Sequence, residues 1–140
     1  MQERYLYRGK RTDNGKWETG SLIALPDGKF EIANKCENLP DSDPMWGKCA
    51  ITHEIDPSTI CQCIGFKDKN GKLIFENDIM GGYIDEDFPE DVSLFKVEWS
   101  GNGWVINQPG CTDREYISDF ETENYEVVGN SFDNPELLEV

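Results

Sequence analysis

A chain of 140 residues holds one folded unit with a real core, or two small lobes sharing one, and not two independent domains of average size. Its net charge of −15, from 13 Lys and Arg against 28 Asp and Glu, disfavours non-specific contact with phosphate backbones. With 37% apolar residues, no stretch approaches the roughly 20 that a membrane helix needs.

The start, Met1-Gln2-Glu3-Arg4-Tyr5, lacks the charged and apolar regions of a signal peptide. The five cysteines Cys36, Cys49, Cys61, Cys63 and Cys111 are too unevenly spaced for the framework of a small secreted domain. The expectation is a soluble cytoplasmic protein with reduced thiols. Its charge is lopsided: residues 1–70 carry 10 Lys and Arg against 11 Asp and Glu, and residues 71–140 carry 3 against 17. A solvated surface accounts for this most simply, and an acidic face that meets a basic partner, or imitates DNA, is the sharper alternative.

In chain order, Arg4-Tyr5-Leu6-Tyr7-Arg8 alternates, Thr12-Asp13-Asn14-Gly15 turns, and Lys16–Leu25 returns as the second arm of a hairpin. Pro26-Asp27-Gly28 turns again into a short strand with Phe30 and Ile32 on one face. Residues 34–50, dense in Asn, Asp, Pro and Gly, predict a long surface loop, in which Trp46 is a ring that pins the loop or meets a partner. Ile51–Ile55 predicts a strand that Asp56-Pro57-Ser58-Thr59 breaks.

The stretch Ile60–Ile79 organises the chain. Asn70-Gly71 lies between the β-prone runs Ile60–Phe66 and Leu73–Phe75 and suits a primed hairpin turn, which needs positive φ angles. Within the first run Cys61 and Cys63 project to one face. Asp78 reads as a turn aspartate that bonds nearby amides and delivers Ile79 to the core. Gly81-Gly82 reads as flexible, and the acidic run Asp85–Asp91 as a solvated connection, since like charges oppose pairing. Phe95, Val97 and Trp99 alternate ahead of Gly101-Asn102-Gly103 and Trp104-Val105-Ile106, a second hairpin. Glu115–Phe120 is ambiguous, Tyr125–Val128 is a strand, and Asn134-Pro135-Glu136 opens a helical turn with Asn as N-cap and Pro at the first helical position. Turn signals recur about every 8–12 residues and no long helical period exists, so the fold class is all-β.

Three separated motifs resemble the YopX family, small proteins found mostly in bacteriophages and prophages. The first is Tyr7-Arg8-Gly9-Lys10-Arg11 with Asp13–Trp17 and Gly20-Ser21-Leu22. The second is Asp56–Ile60 with Gln62, Gly65–Lys72 and Glu76-Asn77-Asp78-Ile79. The third is Tyr125–Asn130 with Asp133–Leu138. The chain departs from the family at Cys63-Ile64, where an aromatic residue and Thr are usual, and at Asn77, where Gly is usual; Asn tolerates the left-handed conformation next best. The resemblance implies an N-terminal β region (1–57), a C-terminal SH3-like barrel part (58–140) and a tendency to self-associate. It implies no reaction.

The residues supply no catalytic constellation either. His53 is the single histidine, and no nucleophile-elbow or phosphate-loop motif is present. Cys49, His53, Cys61 and Cys63 are four potential zinc ligands, but a Cys-x-Cys strand projects two thiols sideways without forming a knuckle turn, so core packing is the expectation and no cofactor is assigned. Asp85–Glu90 lacks the glycine and glutamate positions of an EF-hand loop. The expected function is therefore that of a non-enzymatic binding or self-assembling module, a homo-oligomer with a host or phage protein partner. Trp46, Trp17, Lys67 and Lys69 are the candidate contacts, and Asn70, Gly71 and Asp78 the structural turn residues. The alternative is a nucleic-acid-related role for Arg4, Arg8, Lys10, Arg11 and Lys16 with Tyr5, Tyr7 and Trp17, which the net charge opposes.

Overall fold

Strands pair antiparallel throughout the computed structural model, which describes residues 5–35, 50–83 and 86–139. The chain packs as two units, Tyr5–Gln62 and the stretch from Cys63 onward.

In the first unit, β1 (Tyr7–Lys10), β2 (Trp17–Ala24), β3 (Phe30–Lys35) and β4 (Ala50–Ile55) form a meander, and β5 (Cys61–Lys67) begins beside β1, with Arg8 opposite Cys61. Asp56-Pro57-Ser58-Thr59 does more than break a strand. Asp56 Oδ1 accepts from the Ser58 amide (3.0 Å) and hydroxyl (2.8 Å), which starts a 3-10 turn at Pro57–Thr59. The buried Thr59 hydroxyl donates to the Asp56 carbonyl (2.7 Å) and accepts from the Lys10 amide (2.8 Å), so the turn is fastened to β1 across 49 residues. Ile32, Ile55 and Cys61 fill the interior. Most of the expected loop, with Trp46 and Cys49, lies outside the described residues; Asn34 falls within β3 and Ala50 within β4.

In the second unit, β5 turns into β6 (Leu73–Phe75). There follow β7 (Asp78–Tyr83), β8 (Val92–Trp99), β9 (Trp104–Asn107), β10 (Arg114–Tyr116), the short helix α1 (Asp119–Asn124), β11 (Glu126–Asn130) and a 3-10 turn at Pro135–Leu138. Five of these strands form a sheet in the order β10-β9-β8-β7-β11. Its inner face carries Met80, Phe95, Val97 and Trp104, which pack with Ile64, Ile74, Ile117, Tyr125 and Val127. Each fully buried apolar side chain there contributes roughly 1.5–3 kcal/mol. The sheet stays open, because β10 and β11 are its edges and do not pair with each other. Among the described residues no closed barrel is found, so the fold is all-β and the expected SH3-like barrel is not confirmed.

The Asn70-Gly71 turn differs from the expected primed type. Only Gly71 has positive φ (82°); Asn70 does not. The bonds Asp68 N to Lys72 O (2.8 Å) and Gly71 N to Asp68 O (3.0 Å) describe a type I turn followed by a glycine bulge, and Leu25–Lys29 repeats the pattern bond for bond. The carboxylate of Asp68 explains the preference, since its Oδ1 accepts from the amides of Asn70 and Lys72, both at 2.9 Å. Its Oδ2 accepts from the Val127 amide at 2.8 Å, and the Lys69 amide donates to the Tyr125 carbonyl at 3.1 Å. The hairpin tip thus occupies the outer side of the edge strand β11, which removes free amides from that edge.

Asp78 keeps its expected part: it is fully buried, and its Oδ2 accepts from the Phe75 amide at 2.8 Å. Asn77 has φ 70°, the left-handed conformation anticipated for it. Gly81-Gly82 is no flexible joint. Both residues pair within β7, and a Cβ on Gly82 would overlap the ring of Tyr125, so the glycine marks a close approach of backbone and ring. Asn134 does precede the last turn, but its side chain makes no cap bond; Oδ1 accepts from the Asn130 amide (3.2 Å) instead.

Candidate functional site

The segment left ambiguous by the sequence helps to line a concavity of the second unit. Glu115 pairs opposite Ile106 as β10, and the chain then enters α1 behind Ser118. Ser118 and Glu121 stand three apart, as in a capping box, but here the Ser118 hydroxyl bonds the Glu121 side chain itself (2.8 Å to Oε2). This bond at one end and the Tyr125 amide bonded to the Glu121 carbonyl (2.9 Å) at the other close the short helix.

The result is a cleft of about 380 Å³ lined by Phe95, Ile106, Gln108, Cys111, Asp113, Glu115, Phe120, Glu121 and Tyr125. Its floor is aromatic: Tyr125 stacks on Phe95 (centroids 5.3 Å apart, rings inclined by 26°) and meets Phe120 edge to face (5.8 Å, 83°). Its charged lining is wholly acidic. Burial, and next the charge of Glu121, raise the Tyr125 hydroxyl above the ordinary tyrosine value of 10.0. Tyr125 therefore holds its proton to higher pH in the fold than in the unfolded chain. The associated stability is complete below the unfolded value and is lost as pH rises through the folded one. Ultraviolet difference titration is expected to show one of the five tyrosines ionising after the rest, and Tyr125→Phe to delete that late phase.

The residues singled out from sequence lie elsewhere. Trp17 is half-buried in the first unit with cations over its ring, the Arg8 guanidinium carbon at 4.8 Å and Lys10 Nζ at 5.3 Å from the centroid. Arg11 is bonded to Asp13 (2.7 Å) and Glu18 (3.3 Å), and this pairing, led by the hydrogen bond to Arg11, holds the Asp13 carboxyl below its usual range. Lys67 and Lys69 are exposed beside the hairpin tip, where Asn70 Nδ2 reaches Glu126 Oε2 (2.8 Å). His53 Nε2 is 4.0 Å from Glu18 Oε1. Cys61 and Cys63 are each fully buried, the Cys61 thiol 3.3 Å from the Thr59 carbonyl. Among the described residues no group of three or more His, Cys, Asp or Glu side chains is placed to hold a metal ion.

None of these residues lines the cleft, and sequence reasoning named none of the cleft as a site. The one legible signal was Ser118-Asp119-Phe120-Glu121, a helix start in a stretch too short for helical periodicity.

A family model described as "YopX protein" matches residues 6–139. The chain is similar to two solved structures. Protein EF1440 from Enterococcus faecalis is 20% identical, with 95% of this chain and 96% of that one covered and a TM-score of 0.57. Protein yopX from Bacillus subtilis is 18% identical, with 97% and 99% covered and a TM-score of 0.57. At these identities the likeness is one of fold. No curated protein matches.

Proposed function

This chain belongs to the YopX family, and from that premise we propose that it is a non-catalytic protein-binding module of phage or prophage descent, working in the bacterial cytoplasm. The observation that carries this reading is the cleft: an aromatic floor beneath an acidic rim, on the scale of a pocket for one small group. Cys111, the thiol at its rim, is exposed and lies 3.9 Å from Gln108 Oε1. Self-association has separate support in β10, whose three residues are all exposed on an edge of the sheet.

Affinity capture from crosslinked bacterial cells, together with the native mass of the pure protein, tests the proposal. The expected result is one protein recovered in stoichiometric amount, or a defined homo-oligomer. A strict monomer that recovers no protein overturns it. A gel shift that weakens steeply with salt would instead support nucleic-acid binding, against which stand the net charge and the cations already stacked on Trp17.

A further inference from the structure

The acidic cleft contains a buried carboxyl group that the fold pairs with no cation. Glu121 is only 7% exposed, its carboxyl accepts a hydrogen bond from Ser118, and among the described residues no Lys or Arg pairs with it. The cation next along β10, Arg114, is engaged by Glu98 at 3.5 Å. A buried acid without a cation is an expensive arrangement, and one that an incoming cation relieves. The remaining charged groups of the lining, Asp113 and Glu115, have the same sign. Beside them lie the aromatic rings of Phe95, Phe120 and Tyr125.

We propose that the cleft receives an arginine side chain presented by a partner protein, a reading that rests on the protein-binding function above. Three features select this occupant. The cavity, about 380 Å³, suits one long side chain better than a folded surface. The aromatic floor favours a flat, weakly hydrated cation, and a guanidinium stacks on rings where a compact ammonium keeps its water. Carboxylates at the wall and rim accept the forked N–H groups of a guanidinium in pairs, which adds direction to the attraction. The aliphatic stem of the arginine covers Ile106 on the way in.

Titration of the isotope-labelled protein with acetyl-Gly-Arg-Gly-amide, followed by NMR, tests this directly. The expected result is saturable movement of the ring signals of Phe95, Phe120 and Tyr125, and binding about tenfold weaker for the same peptide with neutral citrulline in place of arginine. Glu121→Gln is expected to weaken the arginine peptide about tenfold, since the amide oxygen still accepts from Ser118 while the charge is gone. Glu115→Gln, at an exposed position, keeps the test valid if Glu121→Gln does not fold, and is expected to weaken binding roughly threefold. No saturable movement, equal binding of the citrulline peptide, or variants that bind as the parent does would each overturn the inference. A partner captured equally by the parent and the Glu115→Gln protein also overturns it while leaving the protein-binding function intact. Loss of both peptide binding and any partner removes the two together.

Discussion

Asp68→Ala is expected to lower the unfolding free energy by about 3 kcal/mol, the cost of depriving several partly buried amides of their acceptor. The carboxylate accepts from Asn70 and Lys72 within the turn and from Val127 on β11. The turn amides recover part of their bonding from water, so most of the loss is expected at the half-buried Val127 and in the freed edge of the sheet. Urea denaturation measures it: the midpoint falls and the slope holds. Asp68→Asn, with a single acceptor oxygen, should fall between parent and alanine variant. An alanine variant within 0.5 kcal/mol of the parent, roughly the spread of neutral surface changes, would mean that this side chain does not organise the turn.

Gly82→Ala is expected to cost about 2–3 kcal/mol, a large penalty for a single methyl group, because the added carbon overlaps the Tyr125 ring. The ring has little room to yield, being stacked on Phe95 and met edgewise by Phe120. Thermal melts of Gly82→Ala, Tyr125→Leu and the double variant test this as a cycle. The double variant should be more stable than the summed single losses predict, by roughly 1 kcal/mol or more, because the smaller side chain admits the methyl. Additive losses would show that the two residues do not share the space. Because Tyr125 also lines the cleft, the glycine variant should disturb its ring signals even where the fold survives.

Local chemistry was readable in the sequence at several places where it acts over a few residues. Leu73–Phe75 and the alternation of Phe95, Val97 and Trp99 ahead of Trp104-Val105-Ile106 form strands as their pattern requires. The buried Asp78 and left-handed Asn77 follow from side-chain and backbone preferences at a tight turn. What the pattern could not convey was adjacency between distant strands. Nothing in Gly81-Gly82 announces that Tyr125 will lie over it, and nothing in Asp68 announces Val127, so the glycine pair reads as flexible and the aspartate passes without a role until the sheet order is known. The cleft was hidden for the same reason. Its walls come from β8, β9, the 108–113 connection, β10 and α1, and none of these segments carries a binding motif alone. The open sheet was equally out of reach, because the alternation that marks an inward face is the same whether or not the edges meet.

The bonds of Asp68 also set an order of events in folding. Two of its partners are two and four residues away and the third is 59 away. The turn can therefore close on the microsecond scale of an isolated hairpin, whereas docking β11 must first bring distant parts of the chain together. A substitution that spoils the turn, such as Gly71→Val at its positive φ, is expected to slow refolding. One that disturbs only the late contact, such as Glu126→Ala beside Asn70, should leave refolding nearly unchanged and quicken unfolding. The same carboxylate begins as a nucleus and ends as a latch.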